Sequence, residues 1–120
     1  MAENPIMKFE TIQKGRCVIV RVLEDINLNT DLNSLITVVE RGIASGNKDI
    51  AFSFGEGSFL YTRHIATLVK CFEILRDKGG TLAVIHPNRD IIDILALIDP
   101  EQMIVKADSE EELESVCQQK

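Results

Sequence analysis

Five short runs rich in apolar and β-branched residues recur along the chain, and their spacing limits what it can fold into. They are MKFETIQ (7–13), RCVIVRVL (16–23), KDIAFSF (48–54), TLAVIHP (81–87) and QMIVKA (102–107). The first alternates with period two, the mark of a half-buried strand. The second is almost continuously apolar, which suits a strand covered on both faces. Only Lys14-Gly15 separates these two, so they read as a hairpin. Each later gap holds a helical pattern.

In the first gap, apolar residues at 32, 35, 36, 39 and 43 form one stripe, with Asn29 or Thr30 as cap and Gly46 as stop. In the second, Ile65, Leu68, Val69, Phe72 and Leu75 fall on one side of a helix beginning near residue 62 and should face the sheet. Arg63, Thr67, Lys70, Glu73 and Asp77 fall on the other, and Ile74 projects beside Thr67 toward solvent. NRDIIDILALI (88–98) is a third helix, capped by Asn88 and stopped before Asp99-Pro100. SEEELESVCQQ opens with Ser109 and Glu112 in capping-box spacing and forms the last. The order β-β-α-β-α-β-α-β-α implies an α/β fold with a mixed, mostly parallel sheet and helices packed against it. No linker or repeat divides the chain, so residues 1–120 read as one domain.

Charge narrows the function classes. The chain has a net charge of −6, and its 13 basic residues are scattered. Nucleic acid and anionic membranes need concentrated Lys and Arg, so a protein partner with a basic face fits better. Cys17, Cys71 and Cys117 lack the short paired spacing of a zinc site or a disulfide framework, which predicts reduced thiols, no metal and no cofactor. With no apolar run long enough to span a bilayer and no signal-like start, the expected location is the cytoplasm.

The stretch GEGSFLYTRHIATLVKCFEIL (55–75) carries the candidate site. A glycine-punctuated turn leads into a helix, where backbone N–H groups are unpaired, and Thr62 stands at its mouth. Thr62 is a residue that something acts on, or else Tyr61 or Thr62 simply ends the loop and caps the helix. A nucleophile needs a base within reach, and only His64 and His86 are available as histidines. No GxSxG surrounds Thr62, and GEG lacks the later glycine and lysine of a phosphate loop. These absences argue against an enzyme. A small-ligand or nucleotide sensor, using a strand-end crevice near Asn27, Tyr61, Thr62 and His86, is the alternative to a protein-binding module.

The layout resembles the STAS domain, the fold of bacterial anti-sigma factor antagonists. The resemblance rests on CVIVRVLEDINLNT (17–30), DIAFSF (49–54), FLYTRHIATLVKCFEILRDKGGTLAVI (59–85) and EELESV (111–116). The family's second helix follows an aromatic or apolar pair and Asp-Ser-Ser/Thr-Gly-Leu-Gly, and ends in Lys/Arg-Gly-Gly before a strand. Here the pair is Phe59-Leu60, the ending is RDKGG, and the strand is TLAVI. Tyr61 stands at the pattern's Asp, Arg63 follows the acceptor position, and His64 and Ala66 replace its glycines. Asn27 takes the place of a loop acid. The resemblance implies a bacterial partner-switching protein that binds an anti-sigma factor or a serine/threonine kinase-like protein. It also implies Thr62 as the phosphoacceptor. The implied surface comprises Asn27, Tyr61, Thr62, Arg63, His64, Lys70 and Ile74.

Overall fold

The computed structural model describes residues 7–99, 101 and 103–113. Strands β1 (Phe9–Lys14) and β2 (Cys17–Val22) form the expected hairpin, followed by α1 (Ser34–Ala44), β3 (Asp49–Ser53), α2 (Thr62–Asp77), β4 (Thr81–Ile85), α3 (Arg89–Ile98) and β5 (Val105–Ala107). The last helix begins at 110 and is described through 113. The expectations for residues beyond that, Cys117 among them, lie outside the described residues.

The sheet order is β1-β2-β3-β4-β5, with β1 antiparallel to β2 and every other neighbour parallel. From β2 onward each strand is added on the same side of the one before. Crossovers of one hand then place all connecting helices on one face. The packing agrees. Val20, Ile50, Phe52, Leu82 and Val84 meet Leu35 and Val39 of α1, Leu68, Cys71 and Leu75 of α2, and Ile91 and Leu95 of α3 in one large core. The opposite face is thinner. Cys17, Ile19, Ala51, Ala83, Ile85 and Ala107 pack there with Leu113 of the last helix. The small alanines let that helix approach closely, and an ion pair fastens its start: Arg21 donates two hydrogen bonds of 2.7 Å to Glu110.

Several local readings shift. Helix α1 starts later than its stripe suggested, because Asn27, Thr30 and Asp31 serve the preceding turns and Asn33 takes the cap position without a side-chain capping bond. Strand β5 is shorter than 102–107: both Asp99 carboxylate oxygens bind backbone N–H groups, of Met103 and Ile104, in the turn before it. Asn88 caps α3 as expected, its Oδ1 accepting from Ile91 N at 2.9 Å. The double glycine after α2 has two separate reasons. Gly79 turns the chain at φ +74°, and Gly80 passes so close to the Lys48 carbonyl that a Cβ would overlap it.

The buried side of α2 also differs. His64, Thr67, Leu68, Cys71 and Leu75 are the buried residues, while Ile65, Val69 and Phe72 are only partly buried. Ile74 is partly buried against the core rather than projecting to solvent, and Thr67 lies beneath the surface. Thr67 can be buried because its hydroxyl donates to the Arg63 carbonyl one turn back, at 3.1 Å. Of the thiols, Cys71 is free and buried, and loss of hydration pushes it up to about 12. Cys17 is held in a disulfide, which corrects the expectation that all were reduced.

Candidate functional site at the mouth of the second helix

The loops leaving the C-terminal ends of β2, β3 and β4 converge above the sheet, the usual place for function in open α/β folds. The β2–α1 and β3–α2 loops are joined by backbone and side-chain hydrogen bonds. Ile26 N donates to Ser58 Oγ at 2.9 Å, and Phe59 N donates to the Ile26 carbonyl at 2.9 Å. Gly57 N donates to Asp25 Oδ1 at 3.2 Å, and both Gly55 and Gly57 lie against that carboxylate with no room for a Cβ. Asn88 adds the third loop. While its Oδ1 caps α3, its Nδ2 donates to the carbonyls of Glu56 and Ser58 at 2.9 and 2.8 Å. The polar groups at the strand ends are thus largely bonded to one another.

The start of α2 is built unusually. The cap residue is Tyr61, whose backbone is extended and whose side chain makes no capping bond. His64, at the third helical position, supplies the missing acceptor from the other direction: Tyr61 N donates to its Nδ1 at 3.0 Å. Its Nε2 lies 2.7 Å from the Thr30 carbonyl and donates to it, which fixes a neutral ring with the proton on Nε2. At 1% exposure His64 sits beneath the surface and joins the helix to the β2–α1 loop. Arg63 works beside it. One guanidinium nitrogen donates to the carbonyls of Leu28 and Thr30, at 2.6 and 2.8 Å. These two residues hold the 27–30 turn on the helix.

Thr62 is the first helical residue rather than the cap. It is exposed, and among the described residues its hydroxyl has no hydrogen-bond partner. Neither does it have a base: both His64 nitrogens are committed, and His86 sits on another loop, 3.9 Å from Glu56. Around it stands an apolar rim that the sequence reading did not assemble, with Leu28 59% exposed, Phe59 45% and Tyr61 38%. The Phe59 and Tyr61 rings meet edge to face, centroids 4.8 Å apart. The available signal was two large apolar residues, Leu28 and Phe59, inside otherwise polar, turn-forming loops.

The expected surface therefore divides. Asn27, Tyr61 and Thr62 are exposed together at the mouth. Arg63 and His64 support it from below and beside. Lys70 is exposed on α2, about 12 Å further along at 1.5 Å per residue. Ile74 lies another turn away. The cavity lined by Asp31, Asn33, Arg63, His64 and Thr67 measures about 90 Å³, well under the roughly 300 Å³ at which small-ligand pockets begin. Among the described residues no group of three or more acidic, histidine or cysteine side chains is placed to hold a metal, and no helix is long and apolar enough to cross a membrane.

No family profile matches the chain, and no curated protein matches it in sequence. Solved structures do match in shape. TM1081 of Thermotoga maritima, a candidate anti-sigma factor antagonist, superimposes with a TM-score of 0.75 at 16% identity, over 92% of this chain and 94% of that one. The phosphorylated form of SpoIIAA, a Bacillus cell fate determinant, gives 0.68 at 16% identity over 91% and 99%. Unphosphorylated SpoIIAA, an anti-sigma factor antagonist, gives 0.66 at 16% identity over 92% and 96%. The chain has the fold of these antagonists, the STAS-like fold that its sequence resembles.

Proposed function

We propose that the chain is a non-enzymatic protein-binding module of a bacterial partner-switching system, and that it engages its partner through the mouth of α2 and the 27–30 turn. One observation carries this reading. Leu28, Phe59 and Tyr61 form an exposed apolar rim on a base cross-linked by Arg63, His64, Ser58 and Asn88. Aromatic side chains on rigid backbone lose little freedom on binding, which is the usual character of an interface centre. The likeness to SpoIIAA supports an anti-sigma factor, or a serine/threonine kinase-like protein, as the partner. Glu24, Asp25 and Glu56 lie on the same two loops as the rim residues and suit a partner whose border is basic.

Regulation at Thr62 belongs to the same proposal. A phosphate there would add about −1.5 to −2 charge at a helix N-terminus, where the dipole tolerates it, so the domain stays folded while the apolar rim acquires a charge that binding must desolvate. A small-ligand role has no comparable support, since the strand-end groups are bonded to one another.

The test is capture from a lysate of the native host by the immobilised chain, with bound proteins identified by mass spectrometry. A Leu28→Ser/Phe59→Ser pair should lose the partner, whereas Leu97→Ser, at an exposed leucine of α3, should keep it. Equal capture by all three chains would overturn the surface. Thr62 unmodified under every growth condition, together with normal binding by Thr62→Glu, would overturn its regulation.

A further inference from the structure

On the sheet edge, away from the site, β1 carries a different signal. It is six residues long, contains no proline, and pairs with β2 from Phe9↔Val22 to Lys14↔Cys17 without a bulge. Among the described residues no strand pairs with its outer edge. Soluble proteins usually blunt such an edge by shortening, bulging or covering it, because its unpaired N–H and C=O groups recruit another strand. Among the described residues none of those devices is present, although Glu10 and Lys14 supply two charges of opposite sign.

The side chains of β1 are self-complementary. Phe9, Thr11 and Gln13 share the α1 side of the sheet with Val18 and Val20, whereas Glu10, Ile12 and Lys14 share the other side with Ile19 and Arg21. Two copies pairing antiparallel about a two-fold axis must place residues of the same face opposite each other. A register centred on Ile12 does so. It sets Ile12 against Ile12, Thr11 against Gln13 twice, and Glu10 against Lys14 twice. Both charges already touch groups of their own chain, Glu10 with Arg21 at 3.2 Å and Lys14 with Glu110 at 3.7 Å. A carboxylate accepts more than one bond and an ammonium donates three, so both keep capacity for the second copy.

A groove of mixed lining runs along this edge, with Thr11, Gln13, Arg41, Ser45 and Asn47 beside apolar side chains. Phe9, Val18 and Val38 line an open cavity of about 520 Å³ between β1 and α1, where the edge strand extends past the helix that covers its neighbours. The same two-fold axis would set two such grooves side by side across the new strand pair and remove part of their apolar surface from water.

We propose that the chain forms a two-fold homodimer through antiparallel β1–β1 pairing centred on Ile12, joining the sheets of both copies into one. The strand-end site stays free in each copy, so the dimer presents two partner surfaces.

Sedimentation velocity over a concentration series tests it, with circular dichroism melting run on each variant to establish folding. The wild-type chain should dimerise. Glu10→Lys sets Lys against Lys, and Lys14→Glu sets Glu against Glu. Each should weaken dimerisation about tenfold, since like charges directly opposite destabilise a strand pair. Mixed together, the two variants should recover a heterodimer, because the lysines at both positions of one then face the glutamates at both positions of the other. Should Glu10→Lys melt early through its contact with Arg21, Glu10→Gln and Ile12→Asp take its place, and both should favour monomer. A wild-type chain that stays monomeric up to about 1 mM overturns the proposal. So does a dimer indifferent to these substitutions, or a mixture that fails to reassociate.

Discussion

Arg63 joins the second helix to the β2–α1 turn, so changing it should disturb folding as well as binding. In Arg63→Glu a carboxylate would face the Leu28 and Thr30 carbonyls. The melting temperature should fall clearly, while Lys70→Glu on the exposed face of the same helix should leave it within error. His64→Leu should cost more. It leaves the Tyr61 N–H without its acceptor, at about 1–3 kcal/mol for an unsatisfied group, and leaves the Thr30 carbonyl with Arg63 alone; chemical denaturation reads the loss. Thr62 is the opposite case. Its hydroxyl serves no cap, so Thr62→Ala should change stability by under about 0.5 kcal/mol, the range of a neutral surface change. A larger loss would mean that the hydroxyl has structural work. Tyr61 occupies a cap without a capping side chain, and Tyr61→Asp should therefore stabilise the helix by about 0.5–2 kcal/mol. The same change should weaken the partner by removing one ring of the rim, and calorimetry beside denaturation separates the two effects.

Along α2, position on the helix decides the cost of a truncation. Leu68 is buried among β-sheet and helix residues, so Leu68→Ala should lose about 2–5 kcal/mol. Phe72 is only partly buried, with Arg76 over its ring at 5.5 Å, so Phe72→Ala should lose clearly less than Leu68→Ala. Equal losses would restore the side that apolar periodicity alone implies. Among the described residues that periodicity located α1, α2, α3 and the five strands, and chain order implied the mostly parallel sheet. It placed Leu68 and Leu75 correctly but missed the rest of the buried side of α2, because His64 and Thr67 count as polar in any such pattern, although each is buried by bonding to backbone. The site was legible only in part for a related reason. Thr62 and Tyr61 stand in a recognisable frame. The partners that give Arg63, Asn88 and Asp25 their meaning lie about thirty residues away in sequence and appear only once the loops meet.

Across the whole molecule the two sheet faces are held differently. Three helices seal one by apolar packing, and the other depends on the last helix, whose start is fastened by the Arg21–Glu110 pair. The Arg21 hydrogen bond holds the Glu110 carboxyl below its ordinary range. A lowered carboxylate contributes stability above its unfolded value, near 4.3, and that contribution disappears as pH falls through the lower folded value. Melting followed from pH 7 to pH 3 should therefore show a steeper acid loss in the wild-type chain than in Arg21→Met; parallel curves would mean that the pair contributes nothing. The two ends of the sheet differ as well. Above the strands, three loops are stitched together. Below them lie the turns at Gly15, Gly46 and Gly79, each with open space around it. An optical reporter spliced into one of those lower turns would ride on the domain without entering the stitched end, so a binding sensor could be made from this chain with the proposed recognition surface unaltered.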